Sequence, residues 1–227
     1  MERKIVKTGD GSTTIQITEW NEQYHSMHGA VQEAQHVFLK MGLDYIVTQN
    51  PHLTELNILE IGFGTGLNAL LTLTHAAQKQ IALPIMYEGI EAYPVLKDEL
   101  DQLNYFELID SNTAPELFEK MHNAAWEQAV AISPIFSLKK RKQTFETIVD
   151  KNAHHLIYFD AFGARVQPEL WEQPIFRKMY EALSQNGVLV TYAAKGSVRR
   201  AMQAVGFKVE RLPGPPGKRE MLRAVKI

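Results

Sequence analysis

Residues 56–68 carry Gly62, Gly64 and Gly66 at alternate positions, between an apolar run and a helix-like pattern. Glycines at a strand-to-helix turn let backbone amides come close to a ligand, beyond the strand's carboxyl end, where doubly wound sheets bind theirs. A dinucleotide fingerprint needs Gly-x-Gly-x-x-Gly; Leu67 takes the third glycine's place and Gly66 arrives one residue early. The loop therefore suits a ligand without a pyrophosphate. Glu60, two residues before Gly62, sets a carboxylate where a cationic group of that ligand would lie. Farther on, Asp160-Ala161-Phe162-Gly163 closes a second apolar run. A carboxylate there can accept the hydrogens of an amine, ease the loss of a proton and aim the lone pair, with Phe162 as a wall. Glu91, at the end of a third run, can accept hydrogen bonds from both hydroxyls of a ribose; Glu88 is the alternative. Each feature also has a plainer reading. The glycines can simply pack a helix on a strand, Glu91 can be an exposed structural glutamate, and Asp160 can cap a loop beside a core phenylalanine.

Hydrophobic period gives the elements that must hold these residues. The run at 56–61 is almost unbroken, as in a parallel strand buried on both faces, and Leu67, Leu70, Leu71 and Leu73 continue as a helix. Runs at 84–90, 135–142, 154–160 and 188–192 predict further strands, with helices over 94–103, over 167–183 and from Gly196, where Ser197 is a candidate N-cap. Residues 104–135 read as mostly helical. In the tail, 206–211 and 218–225 read as an antiparallel pair joined through Pro213, Gly214, Pro215, Pro216 and Gly217. Ahead of the core, 3–18 predict a hairpin around Gly9-Asp10-Gly11. A helix over 30–48 follows, with Val31, Ala34, Val37, Phe38, Met41 and Tyr45 on one face and Pro51 ending it. Between them, 20–29 has no clean period and reads either as a lid over the ligand or as an extension packed on the sheet. The predicted fold is α/β: a mostly parallel doubly wound sheet with a terminal antiparallel hairpin and a small N-terminal extension. Its expected divisions are 1–50, the hairpin, loop and helix, and 51–227, the core domain.

Composition narrows the function. With 227 residues and 45% apolar side chains, the chain can bury a full core as one domain. The net charge of −2 means that any polyanion site must be local. Without cysteine there is no disulfide framework, thiolate metal site or cysteine nucleophile. The start lacks the apolar core of a signal peptide, and no run approaches the ~18 apolar residues of a membrane span. The expected location is the cytoplasm, with no membrane contact. His154 and His155 point to opposite faces of a strand, and no second cluster of ligands stands at metal spacing, so no metal is expected. The basic cluster Lys139-Lys140-Arg141-Lys142 reads as a solvated face. Three small basic groups remain in the tail: Lys195, Arg199 with Arg200, and Lys218 with Arg219. Together they can form a rim for phosphates; singly they are surface features.

The segment from Glu60 through Gly62, Phe63, Gly64, Thr65 and Gly66 to Asn68 resembles the first motif of S-adenosylmethionine-dependent methyltransferases. Nearly the whole chain resembles the methyltransferase half of MnmC, a family of tRNA wobble-uridine modification enzymes, and its stand-alone MnmD-like relatives. Trp20 to Ser26 with Ala34 to Leu39, Glu91-Ala92-Tyr93-Pro94, Phe159-Asp160-Ala161-Phe162 with Gln167-Pro168-Glu169-Leu170-Trp171, Tyr192 to Arg200, and Gly217 to Leu222 carry the likeness in order. The resemblance implies S-adenosylmethionine as cofactor and S-adenosylhomocysteine as product, with neither metal nor flavin. The reaction it implies is methylation of the aminomethyl group of 5-aminomethyl-2-thiouridine in the anticodon region of tRNA. Asp160 would be the catalytic acceptor, and Glu60, the loop from Gly62 to Gly66, Asn68, Glu91 and Asp160 would hold the cofactor. Tyr24, Phe162, Lys195, Arg199, Arg200, Lys218 and Arg219 would meet the substrate. Two departures stand out. The family's acid after the third strand, which reads the adenine amine, is missing from Lys140 to Gln143, leaving that contact to Gln143 or the backbone, and Ala161 replaces a loop glycine. The flavin-dependent oxidase half is not expected, so the substrate must already bear a free amine made by other enzymes. Three rivals stay open: a same-fold methyltransferase for a small or protein amine, a cofactor-binding protein without turnover, and a nicotinamide oxidoreductase, which Leu67 opposes.

Overall fold

The computed structural model describes residues 2–227; Met1, the first residue of the predicted extension, lies outside the described residues. Eight strands form the main sheet in the order β10-β11-β9-β8-β4-β5-β7-β6. Its centre is parallel: β4 (Leu56–Ile61) lies between β5 (Ile85–Ile90) and β8 (His154–Phe159), with β7 (Phe136–Arg141) beyond β5 and β9 (Leu183–Thr191) beyond β8. The strand order therefore reverses at β4, which opens a crevice at its carboxyl end. β11 (Glu220–Lys226) runs antiparallel between β9 and β10 (Phe207–Pro213), as the tail pattern predicts.

The apolar run of β4 is explained by cover on both faces. Ile58 packs in one core with Val37, Leu43, Leu70 and Met121, while Leu59 and Ile61 pack in the other with Phe176, Met179 and Met202. The first face is covered by α3 (Leu67–Gln78), α5 (Ala114–Asn123) and the N-terminal helix; the second by α6 (Gln173–Ala182) and α7 (Gly196–Ala204). A smaller sheet pairs β1 (Arg3–Lys7) with β2 (Thr13–Ile17), and β2 with β3 (Glu22–Gln23).

The structure departs from the sequence reading at several places. The helix beginning with α1 (Ala30–Ala34) widens into π-type geometry over Gln35–Leu43 before α2 (Asp44–Gln49). The wider turn moves the buried stripe, so Leu43 and Ile46 are buried where a 3.6 period selects Met41 and Tyr45. Residues 104–135 are only partly helical, because Ala129–Ser133 forms β6, antiparallel to β7. The helix expected over 94–103 is the single turn α4 (Lys97–Leu100), opened by the Leu96 amide donating to Glu99 Oε2 at 2.8 Å. Lys195, not Ser197, occupies the N-cap of α7. The Asn186-Gly187 turn is a bulge inside β9: Leu183 faces His154 and Val188 faces Leu156, with Asn186 at φ 62°.

The 139–142 cluster is not a solvated face. Lys140 is buried, its Nζ 2.7 Å from the His122 carbonyl and 5.1 Å from the centre of the Trp126 ring, and burial lowers its pKa to about 8. Arg141 forms paired hydrogen bonds of 2.8 Å with Asp150 and reaches Glu88 at 3.2 Å. His154 also meets Asp150, whereas the His155 ring accepts the Asn57 amide. Among the described residues no group of three His, Asp or Glu side chains is arranged to hold a metal, and no helix is long and apolar enough to cross a membrane.

Candidate active site

The crevice at the ends of β4, β5 and β8 is a cavity of about 910 Å³. Its floor is the glycine loop between β4 and α3, tied to β5 by the Gly62 and Phe63 amides, which donate to the Ile90 carbonyl at 3.1 and 2.9 Å. Gly62 has φ +90°, and a Cβ there would lie 2.7 Å from the Asp160 carbonyl oxygen. Only glycine lets the end of β4 approach the end of β8 this closely. The loop also closes against β5: the Gly64 amide donates to Glu91 Oε2 at 3.0 Å, while Glu91 Oε1 accepts the Tyr93 amide at 2.8 Å. Glu91 lines the cavity; Glu88 does not and pairs with Arg141 instead.

Asn68, on the first turn of α3, links the two carboxylates. Its Nδ2 donates to Glu60 Oε1 and to Asp160 Oδ2, both at 2.8 Å. Among the described residues, buried Asn68 Oδ1 has no hydrogen-bond partner, and Glu60 Oε2 has only the nearby Tyr87 hydroxyl, outside good hydrogen-bond geometry. Burial raises Glu60 well above the usual carboxylate range, and the nearby Asp160 adds to this while the Asn68 bond opposes it. Burial likewise raises Asp160 to about 7; the Asn68 bond opposes the rise, Glu33 adds to it and Lys218 opposes it. At neutral pH Asp160 is therefore poised to take up or release a proton.

The backbone around Asp160 is pinned from outside. Tyr192 donates its hydroxyl to the Ala161 carbonyl and Trp171 donates Nε1 to the Phe162 carbonyl, both at 2.8 Å. Phe162 meets the edges of Tyr24 and Trp20, with ring centroids 5.0 and 5.6 Å away. Arg165 holds the roof by donating to the Trp20 and Asn21 carbonyls and pairing with Glu22. The aperiodic 20–29 segment thus lies over the cavity, which Trp20 and 22–28 line.

Two half-buried histidines brace Thr65. His122 Nε2 bonds the Thr65 carbonyl at 3.1 Å, and His25 lies 2.9 Å from Thr14 Oγ1 and 3.4 Å from Thr65 Oγ1. Burial lowers both pKa values to about 4. Phe63 is buried, its ring across Gly89, so it supports the floor more than it faces the cavity.

The third-strand side differs from expectation. Thr144, Phe145 and Glu146 line the cavity, while Gln143 does not. Past Gln143 the chain turns toward the crevice, and Glu146 brings a carboxylate to the cavity wall three residues later.

The predicted basic rim divides. Lys195, Lys218 and Arg219 line a neighbouring groove of about 520 Å³, joined there by Arg165. Lys218 lines both spaces, pairs with Glu33 at 2.5 Å and stands over the Tyr192 ring at 4.3 Å. Arg199 and Arg200 line neither. The sequence pattern assigns no role to Gly89, Arg165, the two histidine braces or the Tyr192 anchor, because each acts through a contact formed only in the fold.

The sheet order, antiparallel last pair and glycine loop at the switch point define a Rossmann-like methyltransferase fold. A family model described as S-adenosyl-L-methionine-dependent methyltransferase matches residues 137–227. The bifunctional tRNA 5-methylaminomethyl-2-thiouridine biosynthesis protein MnmC of Magnetococcus marinus is 33% identical over 218 residues, covering 89% of this chain and 31% of its own length. The crystal structure of MNMC2 from Aquifex aeolicus superposes with a TM-score of 0.80 at 26% identity, covering 98% of this chain and 69% of that one. Spermidine synthase from Thermotoga maritima shares the fold at a TM-score of 0.55 and 12% identity, over 99% of this chain and 72% of its own. The chain is similar over nearly its whole length to MNMC2 and to the matching part of MnmC, and its second half matches the S-adenosyl-L-methionine-dependent methyltransferase model. It spans about a third of the length of the curated MnmC proteins it matches.

Proposed function

We propose that this protein methylates the primary amine of 5-aminomethyl-2-thiouridine at the wobble position of tRNA, giving the 5-methylaminomethyl product. Asp160, held by Asn68 with its pKa raised to about 7, is the observation that carries the reading. An amine must be neutral to act as a nucleophile, and a carboxylate in that range can take its proton at physiological pH. The residues present fit S-adenosylmethionine. Asn68 Oδ1, which has no partner, and the Glu60 carboxyl can accept from the ammonium of its methionine end, Glu91 from its ribose hydroxyls and Glu146 from its adenine amine. When bound, it supplies a methyl group on a sulfonium, open to in-line displacement. The protein's part is positioning and desolvation. Asp160 accepts one proton from the substrate ammonium and a hydrogen bond from what remains, which points the lone pair at the methyl. Phe162, Tyr24 and Trp20 exclude water and wall in the base.

In this reading 51–227 is the methyltransferase domain, and 1–50 supplies the roof and one covering helix. The protein works in the cytoplasm on the anticodon region of tRNA, after other enzymes have installed the aminomethyl group, and needs neither metal nor flavin. The test is incubation with S-adenosylmethionine and tRNA from cells lacking this methylation, followed by nucleoside mass spectrometry. Conversion of the aminomethyl nucleoside to its methylated form is expected. An unchanged nucleoside in the presence of bound cofactor would sink the tRNA assignment and leave a methyltransferase for another amine.

A further inference from the structure

The cavity and the groove beside it carry opposite charge. Eight carboxylates line the cavity, among them Glu22, Glu33, Glu60, Glu91 and Asp160, against only two Lys or Arg side chains, Arg3 and Lys218. The groove has Arg165, Lys195, Lys218 and Arg219 against Glu22 and Glu220. The two spaces are continuous, because Glu22, Gly163, Tyr192 and Lys218 line both. A free amine would be served by the acidic cavity alone. A cationic amine on a polyanionic chain needs both: carboxylates around the ammonium, and cations along the chain that carries it.

We propose that the groove between Arg165, Lys195, Lys218 and Arg219 seats the phosphodiester chain flanking the amine-bearing nucleotide, so that the site selects an ammonium borne on an RNA strand over a free amine. The inference rests on the methyltransferase reading above and adds to it a binding site with its own residues. The four cations come from three separate loops: the one after β8, the one after β9 and the β10–β11 connection. Arg165 and Lys218 are fixed by Glu22 and Glu33. Lys195 and Arg219 are exposed and, among the described residues, make no ion pair, so they can meet a phosphate without first leaving a carboxylate. Gly163, Ala164, Ala193 and Ala194 line the groove between them with almost no side chain, which leaves space for a sugar-phosphate backbone. Its volume of about 520 Å³ is that of a ligand cleft. Charge on the groove walls and small residues between them distinguish this face from a general basic patch. Arg199 and Arg200 line neither space and are not part of it.

The test measures binding of a short unmodified RNA hairpin by the full chain across a salt series, with S-adenosylhomocysteine affinity measured in parallel to report an intact fold. For the double variant Lys195→Ala/Arg219→Ala, affinity for the hairpin should fall by about tenfold or more. The slope of log affinity against log salt should flatten by about 1.4, the loss of two single-strand phosphate contacts. S-adenosylhomocysteine affinity should stay the same. Lys79→Ala/Lys151→Ala, at exposed positions outside the groove, should bind the hairpin as wild type does. Wild-type affinity and slope for the groove variant would overturn the proposal, as would a loss that appears only in Arg199→Ala/Arg200→Ala. Groove failure with tRNA still methylated would leave the proposed function standing. Absence of methylation with groove-dependent hairpin binding would overturn that function instead.

Discussion

The Asn68 amide donates to Asp160 Oδ2 at 2.8 Å and uses its other hydrogen, at the same distance, on Glu60. One neutral side chain thus holds two carboxylates whose burial favours protonation. A charged lysine there would hold Asp160 ionised and make it a weaker base, while an apolar residue would leave Asp160 without this donor.

Asn68→Ala should therefore move the pH dependence of methyl transfer upward. The Asn68 bond lowers the Asp160 pKa, so removing it leaves burial less opposed and lifts the value above about 7. A hydrogen bond to a charged group is worth about 1.5–3 kcal/mol, so the rising limb should shift by about one to two pH units. A loss of rate with an unmoved limb would show that Asn68 does not set the charge of Asp160.

Asp160→Asn should abolish methylation, by a factor on the order of 10² to 10⁴, while making the ligand-free protein more stable at high pH. The folded pKa is raised above the ordinary 3.8, to about 7, so the folded state binds more protons than the unfolded one between these values. Wild-type stability in this window falls as pH rises, and the penalty is complete above about pH 7. Asparagine carries no such penalty. Thermal melts should separate the two proteins at about pH 8, with the variant higher, and bring them together near pH 4. Equal melting temperatures at pH 8 would count against a raised Asp160 pKa.

His122→Gln should reduce the acid sensitivity of the fold. His122 is lowered from 6.5 to about 4 by burial, with Lys140 adding to the effect, so the unfolded state binds the extra proton between those values. Stability from this group is present above about pH 6.5 and is lost as pH falls toward 4. Glutamine can still donate to the Thr65 carbonyl but cannot charge. The fall in melting temperature between about pH 6.5 and 4.5 should be smaller in the variant than in wild type; a fall of the same size would contradict the assignment.

Elements with strong local patterns were legible in the sequence. The unbroken run of β4, the glycine turn, the tail hairpin and the pairing of β1 with β2 all follow from period and turn residues within a short window. Asp160 and Glu91 were legible for the same reason, since each directly follows a strand. What escaped depended on distant contacts. β6 is short and partly exposed, and its only strand partner is β7, so its residues show no buried strand pattern. The basic run at 139–142 looks solvated because Asp150, Glu88 and the His122 carbonyl, which receive Lys140 and Arg141, are remote or unremarkable in sequence. That Arg199 and Arg200 line neither the cavity nor the groove was not legible, because the direction of a helical residue depends on how the helix is docked.

Gly89 provides the last test, because it touches the cofactor loop while lying outside the cavity. It stands in register between Glu60 on β4 and Lys140 on β7, and a Cβ there would come within 2.3 Å of the Phe63 ring. Phe63 lies between Gly62 and Gly64, so displacing its ring must disturb the loop that floors the cavity. Gly89→Ala should cost about 1–3 kcal/mol through overpacking, seen as a melting temperature several degrees lower, and should weaken S-adenosylhomocysteine binding. Phe63→Ala alone leaves a void and is also destabilising. The decisive measurement is the double variant: with the ring gone, the added methyl has room, so alanine at 89 should cost little or nothing further. Such coupling, in stability and in ligand affinity, would place the effect in the Phe63–Gly89 contact. Additive losses would mean that the strand itself resists the substitution, and that Phe63 does not carry the strain to the loop.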